Sequence, residues 1–502
     1  MHRPDTYRWW TLFQMVPLAI AVGLFITTFA GRVSLVDTHE LNIMGEEQNI
    51  VYGVIKWMQG TPLYSDPEAL PMDIIQYPPA FYYLAGGLGT AFGVDTTEPQ
   101  EVYVLIRTIG LVLNLLFAWS CYWIARELGA PWWWAVLWGT VLFSFLPRQV
   151  YSRPDALNLV LFAGSMYFLL RGAGRRSSND LLIATLLGCA AVMAKQSGVL
   201  ALGVIGAWAL FTRQWTVLLR HVVLSTIVLA ICIGWLCLHY GTHVIVLNLV
   251  TSIRNGIDLT LFRTLLTPRF LGMFLVQAIA LVLCWRWWRG TGPQLKALSV
   301  AYSLSLAFGY ATSIKYGSST AYYMEGMLLA TAAMALWSGS SWVVADRSRL
   351  VGISLLALLF IQPRQVAWGA TVLLGRDTVV NELHEYQEAK AMAAFLREDP
   401  RFRKGLVLVY YHDHLENFLV GRSVLTQKDI YQLPTSAAHY DLSAYRNALE
   451  DGTIRFVVMR SPGPLALVGD AHPPLALADQ RNGYLLYINS ASEALAPADH
   501  AY

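Results

Sequence analysis

The chain is poor in charge. Only 14% of its 502 residues are Asp, Glu, Lys or Arg, against roughly 25% in a soluble domain. With 55% hydrophobic residues and a mean hydropathy of +0.44, that deficit excludes an ordinary soluble enzyme and points to a polytopic membrane protein. Cysteine is scarce as well. Cys121, Cys189, Cys232, Cys237 and Cys284 lie in or beside apolar runs, and no two stand at a metal-ligand or thiol-redox spacing, so they read as buried free thiols. A Gly-rich phosphate loop is missing, and so is any internal repeat of quality. A net charge of only +3 with 18 Trp argues against a nucleic-acid partner and suits a chain anchored at a membrane interface. The HDH run at 412–414 has no third ligand close by, so neither a metal nor another cofactor is expected.

Long apolar runs are what the chain has instead. Arg3 and Arg8 precede the first, Trp9 to Ala30, and no small-residue cleavage site follows it. It reads as an uncleaved span and not a signal peptide. Further spans are expected near Val102–Ile124, Trp132–Leu146, Ala156–Leu170, Leu181–Ala194 and Gly198–Phe211. Others are expected near Val222–Leu238, Phe270–Leu283, Leu295–Ala311, Tyr322–Leu336 and Leu350–Ile361, which makes eleven in all. Several fall short of the ~20 residues a bilayer asks for, so their ends must reach into the flanking loops.

Parity then sets sidedness. With a cytoplasmic N-terminus, the joints at 126–127, 171–176, 213–220, 285–290 and 346–349 face the cytoplasm, and they are rich in Arg, as the positive-inside rule asks. The outer set still carries Arg107, Arg148, Arg153, Lys195, Arg254, Arg263, Arg269 and Lys315. The same side holds the acidic stretch DTHELNIMGEEQNIVYGVIKWMQGTPLYSDPEALPMDIIQYPP (37–79), with Asp37, Glu40, Glu46, Glu47, Asp66, Glu68 and Asp73. Cations interleaved with acids on one face suggest a common polar cavity, since ionisable groups beside lipid cost several kcal/mol unless paired or used. A solvated acidic loop and snorkelling structural ions are the plainer accounts.

Within that stretch Ile43, Ile50, Val54, Trp57 and Met58 recur at helical intervals between Asn42 and Gly60, as in an amphipathic helix lying along the interface. Pro78 and Pro79 bar a helix through Tyr77, and an aromatic-rich helix follows them. From Pro363 the composition changes. Helices are expected at 381–399, 414–422 and 441–452 and strands at 405–411, 453–459 and 483–489, which together predict a small outer-face α/β domain over 364–502. Residues 1–363 form the membrane module, with 31–100 as its first outer loop.

An outer site of Arg, Lys and carboxylates suits a phosphate carried on a hydrocarbon tail. Arg grips phosphate through paired contacts and Lys as a point charge, while a facing carboxylate can take the proton from an attacking hydroxyl. Because no water is the nucleophile, one catalytic carboxylate suffices, unlike the paired acids of glycosidases.

Four motifs, in order on one expected face, carry a resemblance. They are Glu46-Glu47, Gly60, Pro62 and Tyr64 with Tyr77-Pro78-Pro79 running into Phe81-Tyr82-Tyr83; SRPDALNLVL (152–161); AKQSGVLAL (194–202); and KYGSSTAYYMEG (315–326). Over Trp9 to Ile361 the chain resembles the bacterial polytopic glycosyltransferases of the C-type fold, which use polyprenyl-phosphate sugars as donors. The resemblance implies inverting transfer of a monosaccharide to a glycan, lipid or protein acceptor at the periplasmic face of a bacterial inner membrane. It also implies a donor and phosphate site of Arg153, Asp155, Lys195, Gln196, Lys315, Tyr77, Tyr322 and Glu325. Glu46 stands where the family has Asp, Ser197 in a Thr place and Ala321 in an Asn place. Asp37 occupies the position where related lipid-sugar transferases keep their base, so Asp37, Glu46 and Glu47 all remain candidates for it. A flippase for a lipid-linked saccharide and a non-catalytic glycan-binding scaffold are the alternatives.

Overall fold

A computed structural model describes residues 5–43, 46–146, 152–265, 267, 270–290, 292–340, 352, 363–375, 382–400, 402, 405–410, 413–432, 439–460 and 474–491. The expected span Leu350–Ile361 apart from Gly352, the basic joint at 346–349, and Arg148, Arg269 and His412 lie outside them. In chain order the helices begin with α1 (Asp5–Val33), α2 (Glu47–Met58), α3 (Ala80–Phe92), α4 (Pro99–Glu127), α5 (Trp132–Phe145), α6 (Pro154–Arg175), α7 (Ser178–Ala194) and α8 (Val199–Phe211). There follow α9 (Trp215–Tyr240), α10 (Thr242–Leu249), α11 (Thr260–Leu265), α12 (Leu271–Gly290), α13 (Pro293–Ser313), α14 (Met324–Ser338), α15 (Pro363–Leu373) and α16 (Leu383–Glu398). The chain divides into two compact units.

Unit 1 comprises Met1–Val36, Arg107–Cys232 and Ile257–Val379 and is helical. Pro99–Glu127, Pro154–Arg175 and Trp215–Tyr240 are long and apolar enough to cross a membrane, while Leu18–Val33, Trp132–Phe145, Ser178–Ala194, Gln196–Phe211 and Thr242–Ile253 are shorter apolar helices. The expected lengthening into flanking loops occurs in α4 and α9 but not in α5 or α8. Pro131, the residue before α5, lies at φ −59° and ψ 143°, and Lys195 lies extended at φ −154° and ψ 144° between α7 and α8. Neither conformation continues a helix. On α9, Leu219, Ile227 and Ile231 expose their side chains, as a helix facing hydrocarbon would.

Unit 2 comprises Asp37–Ile106, Ile233–Gly256 and Val380–Tyr502, so its compact body gathers the first-loop stretch, the segment before Ile257 and the C-terminal part. Its four-stranded sheet has the order β1 (Leu406–Val409), β2 (Ile454–Met459), β4 (Tyr484–Asn489), β3 (Leu475–Arg481). β1 runs parallel to β2, and the other two pairings are antiparallel. Alternation along the strands sends Leu408 and Val457 into a cluster with Met72, Leu425 and Tyr445. Val407, Val409, Phe456 and Val458 point the other way, into a cluster with Met392 and Leu396 of α16. β3 is the strand that periodicity does not predict: most of its residues are exposed, so it carries no buried face to pattern.

α2 differs from expectation at its start and in its surroundings. Glu46 takes a left-handed φ of 59°, so the helix begins at Glu47 and not near Asn42. Glu47 to Lys56 are all buried, polar residues included. The polar ones are accommodated by internal bonds: Gln48 Nε2 donates to the Asp413 carbonyl at 2.8 Å and to Glu416 Oε2 at 2.6 Å. Gly86 of α3 lets Trp57 approach, because a Cβ there would come within 2.2 Å of its ring.

Candidate functional site

In unit 1 three segments distant in sequence converge. Pro154 opens α6, where its missing N–H costs nothing. It holds Arg153 extended at φ −117° and ψ 162° and leaves Asp155 in the first turn, where the helix dipole favours a carboxylate. The break between α7 and α8 supplies Lys195. That break needs Gly198, since a Cβ there would lie 2.2 Å from the Ala191 carbonyl carbon. A short 3-10 turn, Thr320–Tyr323, supplies Tyr322 and leads directly into α14, with Glu325 in its first turn.

Lys195 Nζ donates to Asp155 Oδ1, and both side chains are buried. Arg153 Nε stands 3.4 Å from the other oxygen, Asp155 Oδ2. The Tyr322 ring lies 4.7 Å from Lys195 Nζ, within cation–π range. Asn158 Nδ2 donates to Glu325 Oε1 at 3.2 Å. Glu325 Oε2 and Asn158 Oδ1 are buried and have no hydrogen-bond partner among the described residues. Buried polar atoms are seldom left so. Two cations, two carboxyl groups and an aromatic face thus surround polar atoms with bonding capacity to spare.

Gln196 and Lys315, also expected at the site, lie in the same unit. Gln196 is half-buried and starts the turn after Lys195. Lys315 is half-buried in a loop whose backbone bridges to Ile257. Asn158 is the member that sequence reasoning missed. It lies one turn beyond Asp155 on the same helix, and the spacing in RPDALN already placed the two on one face.

Asp37, Glu46, Glu47 and Tyr77 belong to unit 2. Asp37 and Glu46 are exposed and Glu47 is buried, so the two adjacent glutamates point to different environments. The Tyr77 hydroxyl donates to Glu46 Oε2 at 3.1 Å, and the Tyr77 carbonyl accepts from the Tyr64 hydroxyl at 2.8 Å. The two halves of the first-loop motif are thereby tied together. Asp73, by contrast, is bound by its neighbours. It receives Lys56 Nζ at 2.6 Å, the Ser65 hydroxyl, and the Tyr52 hydroxyl at 3.4 Å. Burial first, then the Asp73 charge, holds the Tyr52 phenol well above its usual range. Asn248 reinforces this corner by accepting from the Ile75 N–H at 2.8 Å and donating to the Ser65 carbonyl at 2.9 Å.

Asp66, Glu68 and His243 have donor atoms within 4.8 Å of one another, with His243 Nε2 facing Glu68 Oε2 at 3.3 Å. Such a set of one imidazole and two carboxylates suits a zinc-type ion. Glu68 Oε1 is already engaged by the Asp441 N–H at 2.9 Å.

No protein-family model matches the chain, and no curated protein matches it in sequence. Solved structures do. ArnT from Cupriavidus metallidurans bound to undecaprenyl phosphate is 16% identical and superposes over 96% of this chain and 98% of its own, with a TM-score of 0.58. Its apo state matches over 97% and 99%, at the same identity and TM-score. The archaeal oligosaccharyltransferase AglB from Archaeoglobus fulgidus, in complex with an inhibitory peptide and a dolichol-phosphate, is 13% identical over 88% of this chain and 69% of its own, with a TM-score of 0.56. The chain therefore has the polytopic, mostly helical fold of the C-type glycosyltransferases that its sequence motifs resemble.

Proposed function

We propose that the protein is an inverting glycosyltransferase that moves a monosaccharide from a polyprenyl-phosphate donor to an envelope glycan, lipid or protein, at the periplasmic face of a bacterial inner membrane. The observation that carries this reading is the convergence of Arg153, Asp155, Lys195 and Tyr322, with Glu325 and Asn158 beside them. It occurs on a fold shared with a protein whose structure holds undecaprenyl phosphate and with another that holds a dolichol-phosphate.

In this reading Lys195 and Arg153, with Lys315, receive the phosphate, and Asp155 positions both neighbouring cations between turnovers. Lys195 exchanges part of its bond to Asp155 for a phosphate oxygen, while the Tyr322 ring continues to screen it. A first-loop carboxylate, Asp37 foremost with Glu46 as its rival, takes the proton of the acceptor hydroxyl. The acceptor oxygen then bonds to the anomeric carbon as the bond from that carbon to the phosphate oxygen breaks. The electron pair leaves on the phosphate, where the cations stabilise it, and the configuration inverts. Glu47, being buried, serves as a structural acid.

The test is acceptor-dependent release of free polyprenyl phosphate. Purified protein in nanodiscs is given polyprenyl-phosphate-linked sugars and envelope extract, and products are read by mass spectrometry. Sugar-bearing acceptor with matching free polyprenyl phosphate is expected. Movement of intact donor between leaflets of proteoliposomes without cleavage would support a flippase instead, and binding of glycan without either would support a scaffold.

A further inference from the structure

At the hairpin between α12 and α13, unit 1 opens an apolar cavity of about 780 Å³. Phe211 of α8, Leu281, Val282, Trp285 and Trp288 of α12, and Leu304 of α13 line it. Its polar lining offers little. The Ser299 hydroxyl is spent on the carbonyls of Cys284 at 2.8 Å and Leu295 at 2.7 Å. Such a space suits hydrocarbon, and its size is that of a ligand cleft.

The rim has the opposite character. Between Trp285 and Lys296 the chain itself carries Arg286, Arg289 and Lys296 and no acid, although Glu127 of α4 reaches Gln294 in the first turn of α13. The Arg289 guanidinium lies 4.0 Å from the Trp285 ring centre and Lys296 Nζ 5.9 Å from that of Trp288, so cations sit on the aromatic residues that wall the cavity. Across the short turn α13 begins with Gly292 at its N-cap, without a capping side chain, followed by Pro293. Its first free N–H groups add a positive dipole end. Helix α13, at about 1.5 Å per residue, runs some 30 Å from this rim toward the loop of Lys315. The rim is thus remote from the Lys195 cluster along α13, on the face that the Arg distribution assigns to the cytoplasm.

We propose that this hairpin binds one anionic glycerophospholipid, with an acyl chain in the cavity and its phosphate held by Arg286, Arg289, Lys296 and the start of α13. The cavity supplies no preference among lipids, since every acyl chain is apolar. The preference comes from the rim, where cations outnumber the one nearby acid, Glu127, which accepts from Gln294 Nε2 at 3.3 Å and is already paired with Arg175 at 3.1 Å; such an excess discriminates between anionic and zwitterionic headgroups. The inference is independent of the donor reading, because it uses neither the same residues nor the same end of α13.

Native mass spectrometry of the full chain with equimolar phosphatidylglycerol and phosphatidylcholine tests it without any variant. Retention of phosphatidylglycerol over phosphatidylcholine by about tenfold is expected, the ratio one charged hydrogen bond supports. R286Q/R289Q/K296Q should bring the ratio to about one, and Ser303→Phe, which fills the cavity from an exposed position, should lower retention of both lipids. Equal retention by the wild type, or an unchanged preference in the triple variant, overturns the proposal. Displacement of phosphatidylglycerol by equimolar undecaprenyl phosphate assigns the cavity to the donor tail and overturns it too.

Discussion

Among the described residues each unit contains one buried Lys–Asp pair, and the two differ in what surrounds them. Lys56 and Asp73 in unit 2 are 7% and 1% exposed, and their remaining capacity is taken up by Ser65 and Tyr52. Lys195 and Asp155 in unit 1 are equally buried, at 6% each, but Arg153 adds a second cation, and Glu325 and Asn158 hold atoms without partners among the described residues. A saturated pair is a structural clamp. One with buried acceptors left over beside it has bonding left for a ligand. The same two residue types therefore play different parts, decided by their neighbours.

The largest expected effect lies with the acids that unit 2 leaves exposed. Asp37→Asn should lower sugar-transfer turnover by roughly 10²–10⁴-fold with donor affinity retained. Turnover in D37N near wild type with collapse in E46Q would move the base to Glu46, and full activity in D37N, E46Q and E47Q alike would remove the acid-loop mechanism. Next comes the saturated pair. Lys56→Met or Asp73→Leu alone should destabilise by about 3–5 kcal/mol, because each leaves a buried charge unpaired. The double variant should recover most of that in thermal unfolding and keep its donor affinity. Tyr77→Phe is milder, removing one hydrogen bond to Glu46 worth about 0.5–1.5 kcal/mol, read as a few-fold change in turnover.

The smallest effect is acid sensitivity. The His414 hydrogen bond, ahead of the Leu41 N–H, holds the half-exposed Glu382 carboxyl below its ordinary range against the effect of burial. A depressed carboxyl contributes stability that is fully present above the unfolded value of about 4.3 and fades as pH falls through the folded one. Glu382→Gln should therefore lower the melting temperature slightly near pH 7, where the contribution is present, and flatten its decline below about pH 4, where variant and wild type converge. An unaltered acid slope would remove Glu382 from that account.

What was legible in the sequence was local. SRPDALN announced an extended Arg, a helix-opening Pro and a first-turn Asp, because Pro constrains both itself and its predecessor. The short-span break at AKQSG was visible as two apolar runs with a Lys between them. Helix α16 and three strands followed from apolar periodicity, while the helix expected over 414–422 is a single turn, Leu415–Phe418. Long-range satisfaction was not legible. Nothing in the spacing of Lys56 and Asp73 shows that they clamp each other, or that Gln48 reaches Asp413 and Glu416. Nor could composition tell exposed Glu46 from buried Glu47, since the left-handed turn at Glu46 sets where α2 begins. β3 stayed hidden because an edge strand of exposed residues has no apolar alternation to betray it.

The most direct test sets the two buried pairs against each other with one ligand. Undecaprenyl phosphate is titrated onto purified wild type, K195M/D155L and K56M/D73L, each first shown to elute and melt as a folded protein. The saturated pair should be dispensable, with K56M/D73L binding as the wild type does. The unsaturated pair should not: K195M/D155L should lose affinity by about 2–5 kcal/mol, more than thirtyfold, even where its stability is restored. Wild-type affinity in K195M/D155L would contradict the account, because the buried charges around Asp155 would then have no part in holding the donor.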